Sequence, residues 1–98
     1  MDIKKVGIAG TLESSDISIT IEPREQSGIE IFLQSSVERQ FGKQIRKVIE
    51  DILKSHGIES AFVRAIDKGA VDYVIKARTQ TALYRAAEMT EYSWEEVM

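Results

Sequence analysis

The sequence predicts an α+β protein: a single antiparallel or mixed sheet with two amphipathic helices on one face, in the order β-β-β-α-β-α. Three observations carry this reading. Apolar residues alternate with polar ones over 17–22 and again over 29–34, the period of strands with one buried face. Between Val37 and Ile52 the apolar residues recur at helical spacing. A second stretch of helical spacing, 71–87, follows another apolar run. Strands and helices mixed in this order pack as a two-layer sandwich. At 98 residues the chain suffices for one domain with one modest core.

The elements follow in order. Val6 to Ala9 reads as a short edge strand. Ile17, Ile19 and Ile21 alternate with Ser18, Thr20 and Glu22 to make the first long strand. Pro23-Arg24-Glu25-Gln26-Ser27-Gly28 is a loop signal. Ile29, Ile31 and Leu33 then alternate with Glu30, Phe32 and Gln34, and the short loop predicts an antiparallel hairpin between these two strands. In the first helix Val37, Phe41, Ile45, Val48, Ile49 and Ile52 share a face. Ser35 with Glu38 has the spacing of a capping box, and Gly57 suits the left-handed residue that ends a helix. His56 and Lys54 lie in the last turn, where positive charge meets the negative end of the dipole. Ile58 to Ile66 reads as a further strand, Asp67-Lys68-Gly69 as a turn, and Val71 to Ala87 as the second helix. The first turn of that helix, Val71-Asp72-Tyr73-Val74-Ile75, also has the character of a strand.

Charge and composition exclude several functions. The net charge is −3. Glu88, Glu91, Glu95 and Glu96 lie in residues 88–98 with no base beside them; the 12 remaining acids face 13 bases, so the body is +1. Residues 1–87 are therefore expected to form the domain and 88–98 an acidic, mobile tail. Clustered Lys and Arg of the kind that bind nucleic acid are absent. No apolar run reaches the roughly 20 residues of a membrane span, and the N-terminus lacks the apolar stretch of a signal peptide. The expected location is the cytoplasm. There is no cysteine and only one histidine, His56. A thiolate nucleophile, a Cys-ligated zinc and a multi-histidine metal site are excluded, and no catalytic residue or metal ligand is assigned.

One loop stands out. Gly10-Thr11-Leu12-Glu13-Ser14-Ser15-Asp16 places a glycine, two adjacent hydroxyls and flanking carboxylates just before the first long strand. A polar turn accounts for such a composition. So does a surface hydroxyl on which another enzyme acts, because a serine hydroxyl without a nearby base is a poor nucleophile. The first helix also has a basic side, Arg39, Lys43, Arg46, Lys47 and Lys54, with Glu50 among them. It is either a solvated face supported by i,i+4 pairs or a surface for docking an acidic partner. From these residues alone a small ligand-binding or regulatory module and a structural adaptor both stay open.

The loop resembles the modification motif of the citrate lyase acyl carrier proteins, the γ chains of that complex. Ser35-Ser36-Val37-Glu38-Arg39-Gln40-Phe41-Gly42, Asp67-Lys68-Gly69-Ala70-Val71-Asp72 and Ala77-Arg78 match in the same order. The resemblance covers essentially residues 3–87. The family usually has Gly after the modified serine, where this chain has Ser15; position in the Glu-Ser-x-Asp pattern favours Ser14. The resemblance implies a non-catalytic carrier. Ser14 would hold a 2'-(5''-phosphoribosyl)-3'-dephospho-coenzyme A arm, attached by a prosthetic-group transferase. The arm's thiol would carry acetyl and citryl groups between an α chain, the acyl transferase, and a β chain, the citryl lyase. Glu13 and Asp16 would then keep the loop solvated or be read by the modifying enzyme.

Overall fold

A computed structural model describes residues 1–88. The elements are β1 (Gly7–Ala9), β2 (Ile17–Glu22), β3 (Gly28–Ser35), α1 (Glu38–Ser55), β4 (Ser60–Asp67) and α2 (Asp72–Ala86). The expected class and element order are thus found, with one mixed sheet of four strands. The acidic segment expected at 88–98 lies, apart from Glu88, outside the described residues.

The strand order is β1-β2-β4-β3. β1 and β2 are antiparallel, β2 and β4 antiparallel, and β3 and β4 parallel. The expected β2–β3 hairpin is therefore corrected: the two strands do run in opposite senses, but β4 lies between them. Burial explains the insertion. Ala61, Val63 and Ala65 are fully buried on one face of β4, while Phe62 and Ile66 are half-buried on the other. A strand apolar on both faces belongs in the middle of a sheet. The β3–α1–β4 segment is a crossover, the connection that parallel neighbours require. The 23–27 loop spans the width of β4, and Ser60 at its start donates to the carbonyls of Arg24 and of Gln26 (2.6 Å).

The core lies between the sheet and the two helices. Ile17, Ile19 and Ile21 of β2 meet Ile75, Leu83 and Tyr84 of α2, and Leu33 of β3 packs with Ile45, Val48, Ile49 and Leu53 of α1 in the same buried cluster. At about 25 cal/mol per Å² of apolar surface, each fully buried Ile or Leu contributes roughly 1.5–3 kcal/mol against the entropy of ordering the chain. α1 is rotated relative to the expected face. Gly42 and Leu53 turn inward, and Phe41 is half exposed. The capping box is also not formed. The cap residue is Val37, Ser35 ends β3, and Glu38 pairs with Arg46 instead (3.3 Å). The Ser35 hydroxyl is drawn away by a buried carboxylate: it donates to Asp67 (2.8 Å) and accepts from the Val37 N–H (3.1 Å).

At the other end of α1, His56 caps the helix and Gly57 follows with positive φ, as expected. His56 Nδ1 lies 2.9 Å from the Ile52 carbonyl and Nε2 3.2 Å from the Tyr84 hydroxyl, so the ring joins the two helices. Among the described residues no helix is long and apolar enough to cross a membrane.

Candidate functional site

The loop 10–16 is the turn of the β1–β2 hairpin, at the end of the sheet where β4 finishes. It begins at Gly10, whose φ is +93°; a Cβ there would lie 1.8 Å from the Ile17 carbonyl oxygen, so no other residue fits. The tip is a four-residue turn. The Asp16 N–H donates to the Glu13 carbonyl (3.2 Å), leaving Ser14 and Ser15 at the two corners. Ser15 has φ +65° and Ser14 does not have positive φ. Positive φ at the third position alone is the pattern of a type II turn, which favours glycine there. Both serine side chains are exposed.

Two sets of bonds hold this tip in place. The Ser15 N–H donates to the Lys68 carbonyl (2.8 Å) and the Lys68 N–H to the Asp16 carbonyl (2.9 Å), which extends the β2–β4 ladder past its last strand pair. The Lys68 turn is itself fixed by Asp67, whose carboxylate also accepts from the Ala70 N–H (3.0 Å). The second set converges on Asp16. Its Oδ1 accepts from the Ile17 N–H (2.7 Å) and Arg78 Nε (3.0 Å), and its Oδ2 accepts from the Thr11 hydroxyl (2.7 Å) and Arg78 Nη2 (2.9 Å). Thr11 also accepts the Glu13 N–H (3.2 Å). The Arg78 guanidinium, with help from Thr11 and the backbone, holds the Asp16 carboxyl far below the usual carboxylate range, against a smaller effect of burial.

The expected roles of the two carboxylates therefore divide. Asp16 has all its acceptor sites engaged within the chain and does not serve to solvate the loop. Glu13 is exposed, and Leu12 beside it exposes 59% of its surface. The partner of Asp16 lies 62 residues away on α2. The Ala77-Arg78 block pointed to that place in the chain but not to the ion pair.

The basic side of α1 is partly tied down. Arg46 donates to the Ile31 carbonyl (3.1 Å) as well as reaching Glu38, Lys47 pairs with Asp51 (3.0 Å), and Lys54 with Glu50 (2.6 Å). Arg39 and Lys43 make no ion pair among the described residues.

A small α+β body with a hydroxyl at the corner of a buttressed hairpin turn defines a class that comparison with known proteins makes explicit. The family model described as Malonate decarboxylase delta subunit (MdcD), of the acyl carrier type, matches residues 4–86. Proteins named citrate lyase acyl carrier protein are similar over almost the whole chain. That of Streptococcus mutans is 57% identical, covering 99% of this chain and 95% of its own. That of Fusobacterium nucleatum is 52% identical, covering 96% and 100%. The chain belongs to the family of the citrate lyase acyl carrier proteins, and its role is that of an acyl carrier. The same fold occurs in the crystal structure of a Pseudomonas malonate decarboxylase hetero-tetramer in complex with malonate, with a TM-score of 0.70 at 18% identity over 88% of this chain and 92% of that one.

Proposed function

We propose that Ser14 is the residue through which this carrier is loaded, and that the load is the phosphoribosyl-dephospho-coenzyme A arm. The supporting observation is the turn itself. Ser14 is an exposed corner residue on a tip that the Asp16–Arg78 pair and the Lys68 backbone hold rigid. Ser15 shares the exposure but sits at the corner where the family has glycine, a place that needs no side chain. An arm anchored at Ser14 leaves its thiol free to reach two active sites. Tethering makes each encounter intramolecular, at effective concentrations on the order of millimolar.

The cycle supported by the family is a division of labour. An α chain exchanges acetyl for citryl on the arm's thiol and releases acetate. A β chain cleaves the citryl thioester to oxaloacetate and leaves the acetyl thioester on the carrier. This chain's own residues present and orient the arm and take no part in bond making. Residues 1–87 act as the carrier domain, in the cytoplasm. Glu13, exposed on the tip, is read by the attaching transferase, and Arg39 and Lys43 on α1 meet an acidic surface of a partner chain.

The test is the intact mass of the protein isolated from cells degrading citrate. A nucleotide-sized adduct that maps to Ser14 and is absent from Ser14→Ala is expected. An unmodified chain, or an adduct on Ser15, overturns the assignment.

A further inference from the structure

A groove of about 330 Å³ opens between the first turns of α1 and α2. Val37, Phe41, Val71 and Ile75 form its apolar walls, and Gln44 and Asp72 supply its polar edge. Phe41 is 51% exposed and Val71 53%, so two apolar side chains stand at the groove only half covered by the rest of the described chain. The Gln44 carboxamide donates to the Asp72 carboxylate (2.9 Å), which places an amide and a carboxylate side by side. A flat aromatic face, aliphatic walls and an adjacent donor–acceptor pair suit a flat heteroaromatic ring with hydrogen-bonding groups on its rim. Purine bases stack on aromatic side chains and are met at their edges by carboxamides.

The groove adjoins the modification turn. The Ser15 N–H donates to the Lys68 carbonyl, and the next residue, Gly69, is part of the groove's lip. One hydrogen bond and one peptide link thus separate the turn from the groove. We propose that this groove is a cradle for the adenine of the arm, with Phe41 as its stacking face and Gln44 and Asp72 at its edge. The inference rests on the reading that Ser14 carries a coenzyme A-derived arm. In such an arm the nucleotide is the end joined to the serine and the thiol is the far end, so the base is the part a groove beside Ser14 meets. The Asp72 carboxylate repels the arm's diphosphate and turns it outward. Seating the base moves the pivot of the arm from a flexible sugar–phosphate link to the body of the protein, and the pantetheine beyond it stays free to swing.

The experiment uses loaded carrier purified from cells that modify it, with the adduct confirmed by mass. Proton NMR is expected to show cross-peaks from adenine H2 and H8 to the Phe41 ring and the Val71 methyls, with an upfield ring-current shift of both adenine protons. Phe41→Ala abolishes the shift and Phe41→Tyr retains it. A confirmed adduct whose adenine shows no contact with the groove overturns the cradle and leaves the carrier reading intact. Contacts to the groove from the pantetheine methyls instead of the base also overturn it. A chain without any adduct removes the carrier reading and the cradle with it.

Discussion

Arg78 grips Asp16 with two parallel hydrogen bonds of 2.9 and 3.0 Å, and so joins the middle of α2 to the base of the serine turn. The Asp16 side chain is 13% exposed and the Arg78 side chain 41%. The pair is neither fully buried, where desolvation would cancel its attraction, nor fully exposed, where water would screen it. Removing the guanidinium leaves a mostly covered carboxylate with half its donors. Arg78→Ala is expected to cost about 1–2 kcal/mol, read as a lower urea midpoint. Because Thr11 and Ile17 still bind Asp16, the fold survives. The turn loosens, and loading of Ser14 by the transferase slows in a mass-based time course. A variant with unchanged midpoint and unchanged loading would show that the pair holds nothing in place.

The same pair fixes a pH dependence. Asp16 titrates below its unfolded value because its charged form is the one that is bound. Near pH 4 the unfolded chain therefore holds the proton more readily than the folded one, and stability rises with pH. The contribution is complete above the ordinary carboxylate range and is lost as the pH falls through about 4 and on toward the folded value. Unfolding midpoints measured from pH 6 down to pH 2 are expected to fall, and Asp16→Asn to flatten that fall. Equal slopes for the two proteins would rule out Asp16 as its source.

What the sequence reveals here is mostly what is local. Ile17, Ile19 and Ile21 alternate and are buried as alternation requires, and the helices lie where period and Gly57 place them. Adjacency of strands is different. The loop at Pro23 says that β2 and β3 run oppositely, but not that β4 comes between them. That information sits some forty residues further on, in the doubly apolar run Ala61-Phe62-Val63-Arg64-Ala65-Ile66. Phe41 has the right period for the core and still faces outward, because the buried face of α1 runs through Gly42, Ile45, Ile49 and Leu53 beside it. The turn 10–16 is visible in its residue types, whereas its support by Arg78 and Lys68 depends on tertiary contacts with no local signal.

Two substitutions in the turn are expected to act in opposite directions. Ser15 has a left-handed backbone that costs a side-chain-bearing residue on the order of 1 kcal/mol, and its position in the turn favours glycine. Ser15→Gly should relieve that strain. Part of the gain is offset by the greater freedom of glycine in the unfolded chain, so the net stabilisation should be under about 1 kcal/mol. Loading at Ser14 should be retained. Gly10→Ala forces a methyl group against the Ile17 carbonyl at a positive φ and should cost at least about 2 kcal/mol. Thermal midpoints decide both, at roughly 4–8 °C per kcal/mol for a domain of this size. A lower midpoint for Ser15→Gly would contradict the turn geometry.

Reversal of charge on α1 separates docking from support only if the right residues are chosen. Arg46 bonds the Ile31 carbonyl and Glu38, so Arg46→Glu would remove a link between α1 and β3 and leave two acids side by side. Any loss of partner binding would then be confounded with loss of stability. Arg39 and Lys43 are exposed, lie one helical turn apart and have no acid to lose. Arg39→Glu with Lys43→Glu should therefore move the unfolding free energy by no more than about 0.5 kcal/mol. If this side meets an acidic surface, the double variant binds the isolated partner chains more weakly. Its binding also depends less steeply on salt, because screened attraction between exposed charges weakens within a Debye length of roughly 8–10 Å. Titrations at low and at physiological salt are the measurement. Affinity and salt dependence equal to those of the parent chain would leave this side of α1 as a solvated face and place the docking surface elsewhere.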